Sequence, residues 1–447
     1  MKDLISKLYS KKSDWLLYFL FLAIFLSLDT SYYDIFYFDP KNLKSIFLNL
    51  RLIIPYCIFI LFIFVFKNDL KFNFKLNFFT STLIIILASQ IFQIFSTILS
   101  DNSSFNLSFI FNYLMMITLL IVAFNQNKIR QLYFLALVII TIITLFYGSL
   151  LIDWLVFKSF HKNLYGSWPM GVESAKYLST EVPRSSGIAR SSLIIIIPLS
   201  LFLIIKTNIK LLHYIFYFFF IFLLLTTQSR LVMFVYLIGC IIIIIYIFQF
   251  YKNFKKRVIN IILLIFLPIM LTYLTIELKY YLQINTELII TKQEKVKNTD
   301  YGQRNNFKSF RKVDPESFSS QRFDDWKEIL KNNKNVIFGY GALGDRHLIN
   351  QSASSIFFYS YASGGFISLF IFIIIIIRSI YTNSLILFKF ERKLNKKNYY
   401  ILSASLIQIF LIFRSIFESS FAVFGIDFIF FFVTFFLTEK YLQEKTN

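Results

Sequence analysis

The sequence predicts an all-α integral membrane protein with about twelve transmembrane helices. Three observations predict it. Of 447 residues, 57% are hydrophobic and only 16% are charged, where soluble domains carry about 25% charged residues. The apolar positions run unbroken, as in LIIIIPLSLFLII and LIGCIIIIIYIFQF, instead of alternating with polar ones. The net charge of +21 is spread over short connections between these runs and forms no block basic enough to grip nucleic acid. A lipid bilayer is therefore the expected surrounding, and no nucleic-acid partner is expected.

The elements follow in chain order. The runs are Trp15–Leu28, Leu50–Phe66, Phe78–Leu99, Ser108–Phe124, Leu132–Ile152, Ser191–Ile205, Leu211–Leu225, Leu231–Tyr251, Val258–Ile276, Ile356–Ile380, Tyr399–Phe417 and Phe421–Leu437. The first follows Lys11 and Lys12 and lacks a small-residue cleavage site, so it reads as a span and not as a removable signal. Lys67, Lys71 and Lys75, Lys128 and Arg130, Lys206 and Lys210, Lys252 to Arg257, and Lys389 to Lys397 mark one side. The excess of Lys and Arg assigns that side to the cytoplasm, together with both termini. Three stretches result: 1–276, with nine spans and an outward loop at 157–190; a large outward loop at 277–355; and 356–447, with three spans and a cytoplasmic C-terminus. In the large loop, residues 292–316 are polar and aperiodic, whereas residues 320–347 read as a helix around Phe323–Leu330 followed by a Gly-rich turn.

Charged side chains inside a bilayer are costly, so each is expected to mark a pair, a cavity or a substrate path. In this topology Arg51, Asp153, Arg190, Arg230, Arg414, Glu418 and Asp427 all fall at outward ends, and the inner halves hold almost none. That polarity argues for a cationic cavity beneath the two large loops. Arg51 and Arg378 read as snorkelling anchors. Arg414 and Glu418, four apart on one helix face, are expected to pair. Cys57 and Cys240 sit in separate apolar runs and the three histidines lack ligand spacing, so neither a disulfide nor a metal or other cofactor is expected.

Three motifs stand out. Pro183-Arg-Ser-Ser-Gly-Ile-Ala-Arg190-Ser-Ser precedes a span, so two guanidinium groups and a helix start are presented together, an arrangement suited to anions. Thr226-Thr-Gln-Ser-Arg230 is a tight outward turn delivering one Arg. Arg322-x-x-x-Trp326 is followed by Phe338-Gly-Tyr-Gly341-x-x-Gly344, whose glycines permit close backbone approach.

Together and in this order, Arg184–Gly187, Ser229–Arg230, Arg322-x-x-x-Trp326 and Gly339-Tyr-Gly341 resemble the O-antigen ligase and O-antigen polymerase superfamily of bacterial envelope proteins. The resemblance implies a fold like that of membrane lipid-sugar glycosyltransferases, in the inner membrane, with the active site facing the periplasm. It implies undecaprenyl-pyrophosphate-linked glycan as donor, a glycan acceptor, and a chain-length regulator as a further partner. Arg184 and Arg230 would match the arginines that hold the donor pyrophosphate. Ligases place a His-Asn pair before a Gly at the mouth of the next span; counting back from Gly365, Ser354 and Ser355 stand there. Serine is no general base near neutral pH.

The expected function is therefore polymerisation of lipid-linked repeat units by inverting glycosyl transfer. Arg184, Arg230, Glu418 and His347 are the candidate catalytic residues; Arg190, Arg322, Trp326, Gly339, Gly341 and Arg414 are the candidate substrate-binding residues. Ligation of the glycan to lipid A core or another acceptor is the alternative within the superfamily. A flippase of lipid-linked sugars is the alternative of another class, although no internal repeat supports it.

Overall fold

The computed structural model describes residues 14–25, 43–67, 78–99, 103–157, 185–206, 211–226, 229–275, 278, 322–349, 353–391 and 393–446, and regular structure among them is helical throughout. Arg184, residues 292–316 and most of both large loops lie outside the described residues, as do the side chains of Arg51, Asp153 and Arg230. The helices are α1 (Asp14–Phe25), α2 (Leu43–Phe66), α3 (Phe78–Leu99), α4 (Ser103–Asn125), α5 (Ile129–Phe157), α6 (Ser185–Ile205), α7 (Leu211–Thr226) and α8 (Arg230–Phe250). They continue with α9 (Phe254–Thr275), α10 (Arg322–Asn332), α11 (Gly344–Ile349), α12 (Ile356–Phe390), α13 (Tyr399–Ser415) and α14 (Ile426–Thr446). Each apolar run read from the sequence overlaps one of these helices. Five of them, α5, α6, α8, α9 and α12, contain stretches long and apolar enough to cross a membrane. Packing divides the chain into two compact units, one of Met1–Ile139, Gln321–Arg392 and Tyr400–Asn447, the other of Ile140–Ser320 and Lys393–Tyr399.

In the first unit α3 lies along α12 and against α4, and α14 packs beside α12 and α4. The buried face of α3 is polar and small: Ser89, Gln93, Ser96 and Thr97 are all buried at helical spacing. Small residues let membrane helices approach closely where apolar area alone gives no preference over lipid. Aromatic rings fill the opposite side, with Phe421 stacked on Phe431 at 3.7 Å and Tyr113 against Phe428 at 5.4 Å.

A second polar layer joins α12, α13 and α14 in this unit. Arg378 donates through Nε and Nη2 to both carboxylate oxygens of Glu439 (3.1 and 3.2 Å), and Thr382 donates to the same carboxylate at 2.7 Å. Asn383 donates to Gln408 at 3.0 Å and Thr438 reaches the same oxygen at 3.3 Å. Snorkelling is thus the wrong reading of Arg378. Its guanidinium is engaged inside the bundle by Glu439, which is 1% exposed, and a buried carboxylate without a cation would be far more costly than the pair. Charge is accordingly held inside the helix bundle at more places than the apolar runs suggest.

In the second unit α6 is the most enclosed candidate span, with 78% of its apolar window buried, and α7 and α8 pack on it. Proline shapes α9. Pro268 has no N–H to give the Leu264 carbonyl one turn back, the helix widens into a π turn at Ile262–Phe266, and the Tyr217 hydroxyl of α7 donates to that carbonyl at 2.9 Å. At the other end of the same helix Asn253 caps α9 by accepting from the Lys255 amide at 2.9 Å.

Candidate functional site

The Gly-rich turn docks onto a broken helix. α12 loses helical geometry at Gly364 and Gly365, the latter at φ 62° and ψ −159°, a region that only glycine adopts readily. The break leaves the carbonyls of residues 362 and 363 without their intrahelical amides, and the turn replaces them: Tyr340 N–H donates to Ala362 O at 2.8 Å and Gly341 N–H to Ser363 O at 2.7 Å. In return Phe366 N–H donates to Val336 O at 2.9 Å. Every peptide group freed at the kink that appears in this exchange is thereby paired, as burial requires. α3 closes the bracket. Ser96 donates to Ser363 O at 2.6 Å and to Phe338 O, and Ala342 N–H donates to the Thr97 hydroxyl at 3.0 Å. The close approach that the two glycines permit is therefore to the chain's own backbone.

Trp326 and His347 belong to the same module, built from α10, the Gly-rich turn and α11. The Trp326 indole donates to Ala353 O at 2.8 Å and stacks on Phe358 at 4.8 Å, which fixes α10 against the start of α12. Asn333, one turn past Ile329 on the same face, donates to Tyr361 O at 3.1 Å. Arg322 opens α10 and is half-buried. His347, on α11, is exposed and lies beside the Tyr340 ring at 5.2 Å. Ser354 holds a left-handed φ of 50° immediately before Ser355, the residue from which α12 starts. Asp345, 1% exposed, is the more deeply buried of the module's two buried carboxyl residues, Asp325 and Asp345, and accepts from the amides of Arg346 at 2.9 Å and Ala353 at 2.8 Å. Burial pushes its carboxyl above the usual value, and the two amides oppose that shift.

At the α13–α14 corner, Arg414 pairs with Glu418, as the four-residue spacing requires, and also with Asp427. Arg414 and Asp427 are 4% and 2% exposed, while the Glu418 side chain is 28% exposed. Ser420, at a left-handed φ of 34°, donates to Asp427 at 2.9 Å. Two carboxylates thus occupy the guanidinium from two directions, and only Glu418 reaches the surface of the cluster. The Asp427 partner was not legible as such: the four-residue rule finds pairs within one helix, and Asp427 arrives across a turn. Its signal was a carboxylate at the start of an apolar run.

In the second unit, Arg190 lies in the opening turns of α6, half-buried, and Arg230 is the first residue of α8. Arg230 thus starts an apolar helix whose first amides are unsatisfied and favour anions, while Arg190 lies just past the first turn of another. No curated protein and no solved structure matches the chain. Residues 215–372 match the family described as O-antigen ligase. That stretch runs from α7 into the first half of α12 and carries Arg230, Arg322, Trp326, Gly339, Gly341 and His347, so the order of motifs and the helical, membrane-type architecture agree with what this segment is similar to, the O-antigen ligase family.

Proposed function

We propose that the protein polymerises lipid-pyrophosphate-linked oligosaccharide repeat units at the periplasmic face of the bacterial inner membrane. The likeness of residues 215–372 to the O-antigen ligase family supports a glycosyl-transferring function of ligase or polymerase type and a multi-pass membrane setting. The step from there to a polymerase rests on one observation: Ser354 and Ser355, not a His-Asn pair, lead into α12, and His347 is exposed on α11 beside Tyr340. In the proposed reaction a sugar hydroxyl of one lipid-linked unit attacks the anomeric carbon of another glycan, the bond to the pyrophosphate oxygen breaks, and the configuration inverts. Arg184, Arg190 and Arg230 stabilise the departing pyrophosphate as planar, permanently charged donors. Electrostatic stabilisation of this kind is worth about 2.7–4 kcal/mol per donor in other enzymes. Glu418, held by Arg414, takes the acceptor proton. Arg322 and Trp326 position the donor or the acceptor.

Mass spectrometry of surface glycans from a deletion strain tests the reading. Single repeat units still carried by the outer acceptor support it. Long lipid-linked chains that never reach an acceptor identify a ligase, and loss of all outward repeat units identifies a flippase.

A further inference from the structure

The module of α10, the Gly-rich turn and α11 has an exposed face that the transfer chemistry does not use. α10 buries Asp325, Ile329 and Asn333 on one side. At about 100° per residue the rest of its circumference is sorted by chemistry. Leu330 and Phe323 follow Trp326 around the helix, Lys327 and Lys331 come next, and Asp324 and Glu328 form the far edge. Phe323 and Leu330 are 58% and 55% exposed. Such a sequence of apolar, basic and acidic strips is what a helix lying at a membrane surface requires, with lysines reaching from the apolar edge toward headgroups.

The turn that follows extends this face. Lys334, Val336 and Ile337 are exposed, and the Phe338 ring, only partly covered, packs at 6.2 Å from both Phe92 and Phe95 of α3. Phe95 itself is exposed, and so are Phe366 and Phe370, which follow the kink of α12. The tip of the turn is thus continuous with the apolar outer surface of α3 and α12. An apolar patch of this extent facing water would be an association liability.

We propose that α10 and the Val336–Phe338 turn rest on the membrane, with Phe323, Leu330 and Ile337 at the boundary of headgroups and acyl chains and Lys327, Lys331 and Lys334 against anionic lipid headgroups. The partner is the leaflet covering this end of α3 and α12. The inference stands whether the protein is a polymerase or a ligase.

The test uses the full chain in nanodiscs, in a Cys57→Ser/Cys240→Ala background, with a nitroxide on Leu330→Cys, Ile337→Cys or Glu328→Cys. The labels at 330 and 337 are expected to collide more with oxygen than with a water-soluble nickel chelate, and the label at 328 to show the reverse. Adding phosphatidylglycerol to zwitterionic discs should raise the oxygen-to-nickel ratio at 330, and Lys327→Glu/Lys331→Glu should abolish that rise. Nickel access at 330 and 337 equal to that at 328 overturns the proposal. So does protection from both reagents, because a protein surface would then cover the patch. A ratio unaffected by anionic lipid in the native sequence overturns the headgroup assignment.

Discussion

A Cβ placed on Gly339 would lie 2.5 Å from the backbone nitrogen of Gly364. The turn and the kinked helix therefore meet backbone to backbone, and no side chain on that face of residue 339 is compatible with the bonds between residues 340–341 and 362–363.

Alanine at either partner of this contact should weaken the protein. Gly365→Ala adds a left-handed strain of about 1–3 kcal/mol to a clash with the Ile337 carbonyl. Gly339→Ala meets backbone that has no flexible atom to move. Thermal unfolding in detergent should show lower midpoints for both, with Gly425→Ala, whose Cβ meets nothing closer than 3.8 Å, unchanged. Native-like midpoints in the first two would remove the turn's structural role and return the glycines to ligand binding.

The Arg378–Glu439 pair makes a second prediction. Glu439→Ala leaves a guanidinium buried without its carboxylate, a loss of about 3–5 kcal/mol, whereas Arg378→Met/Glu439→Leu together should approach native stability. Because this pair is no part of the proposed transfer site, the double variant should also make polymer of native length. Shortened polymer from a stable double variant would assign the pair a functional role.

What the sequence disclosed, and what it hid, follows from the range of the rules used. Apolar runs locate helices because each span is a local property of about twenty residues. The Arg414–Glu418 pair was equally local. Asp427, a charge in an apolar run, and Glu439, just beyond the end of the same run, have partners set by packing of different segments, which spacing along one chain does not encode. The Gly339–Tyr340–Gly341 motif announced a close approach, but not that the surface approached is the α12 kink. Ser96 and Thr97, which close that bracket, carry no signal beyond small polar residues near the end of a span.

Asp345 gives the module of α10, the Gly-rich turn and α11 a pH dependence. Its folded carboxyl is shifted above the ordinary value of 3.8, so the native state holds its proton more tightly than the unfolded chain does. The stabilising contribution is complete below the ordinary value and is lost as pH rises through the raised one. Asp345→Asn removes the titration and costs one amide bond, since its –NH2 cannot accept from Ala353. The difference in unfolding midpoint, native minus Asp345→Asn, should therefore shrink over the pH interval that begins at the ordinary value of 3.8 and rises from there. A difference that grows over that interval would contradict the direction of the shift.

The cluster at the α13–α14 corner separates stability from chemistry. Asp427→Ala strips Arg414 of its most buried partner and should cost about 3–5 kcal/mol. Glu418→Gln keeps size and partial exposure, so its stability loss should stay near 1 kcal/mol, while polymer synthesis falls by about 10²-fold or more if this carboxylate takes the acceptor proton. Expression and unfolding midpoints must be measured with activity. A well-folded Glu418→Gln that polymerises normally excludes it as the base.

The arginines and His347 decide the mechanism. If departure of the pyrophosphate is governed by the guanidinium groups, Arg184→Ala and Arg230→Ala should be the most damaging substitutions, each by about 10²–10³-fold. Arg230→Lys should recover little, because a lysine keeps the charge and loses the planar fork. His347, exposed beside Tyr340, should tolerate alanine with substantial polymer retained. The opposite ranking, with His347→Ala inactive and Arg230→Lys normal, would mean that base catalysis from the loop dominates and that Arg230 merely anchors α8 at the interface. Full-length polymer from a well-expressed Arg184→Ala/Arg230→Ala double variant would refute the pyrophosphate clamp outright, since no charge would then remain at those two positions to stabilise the leaving group.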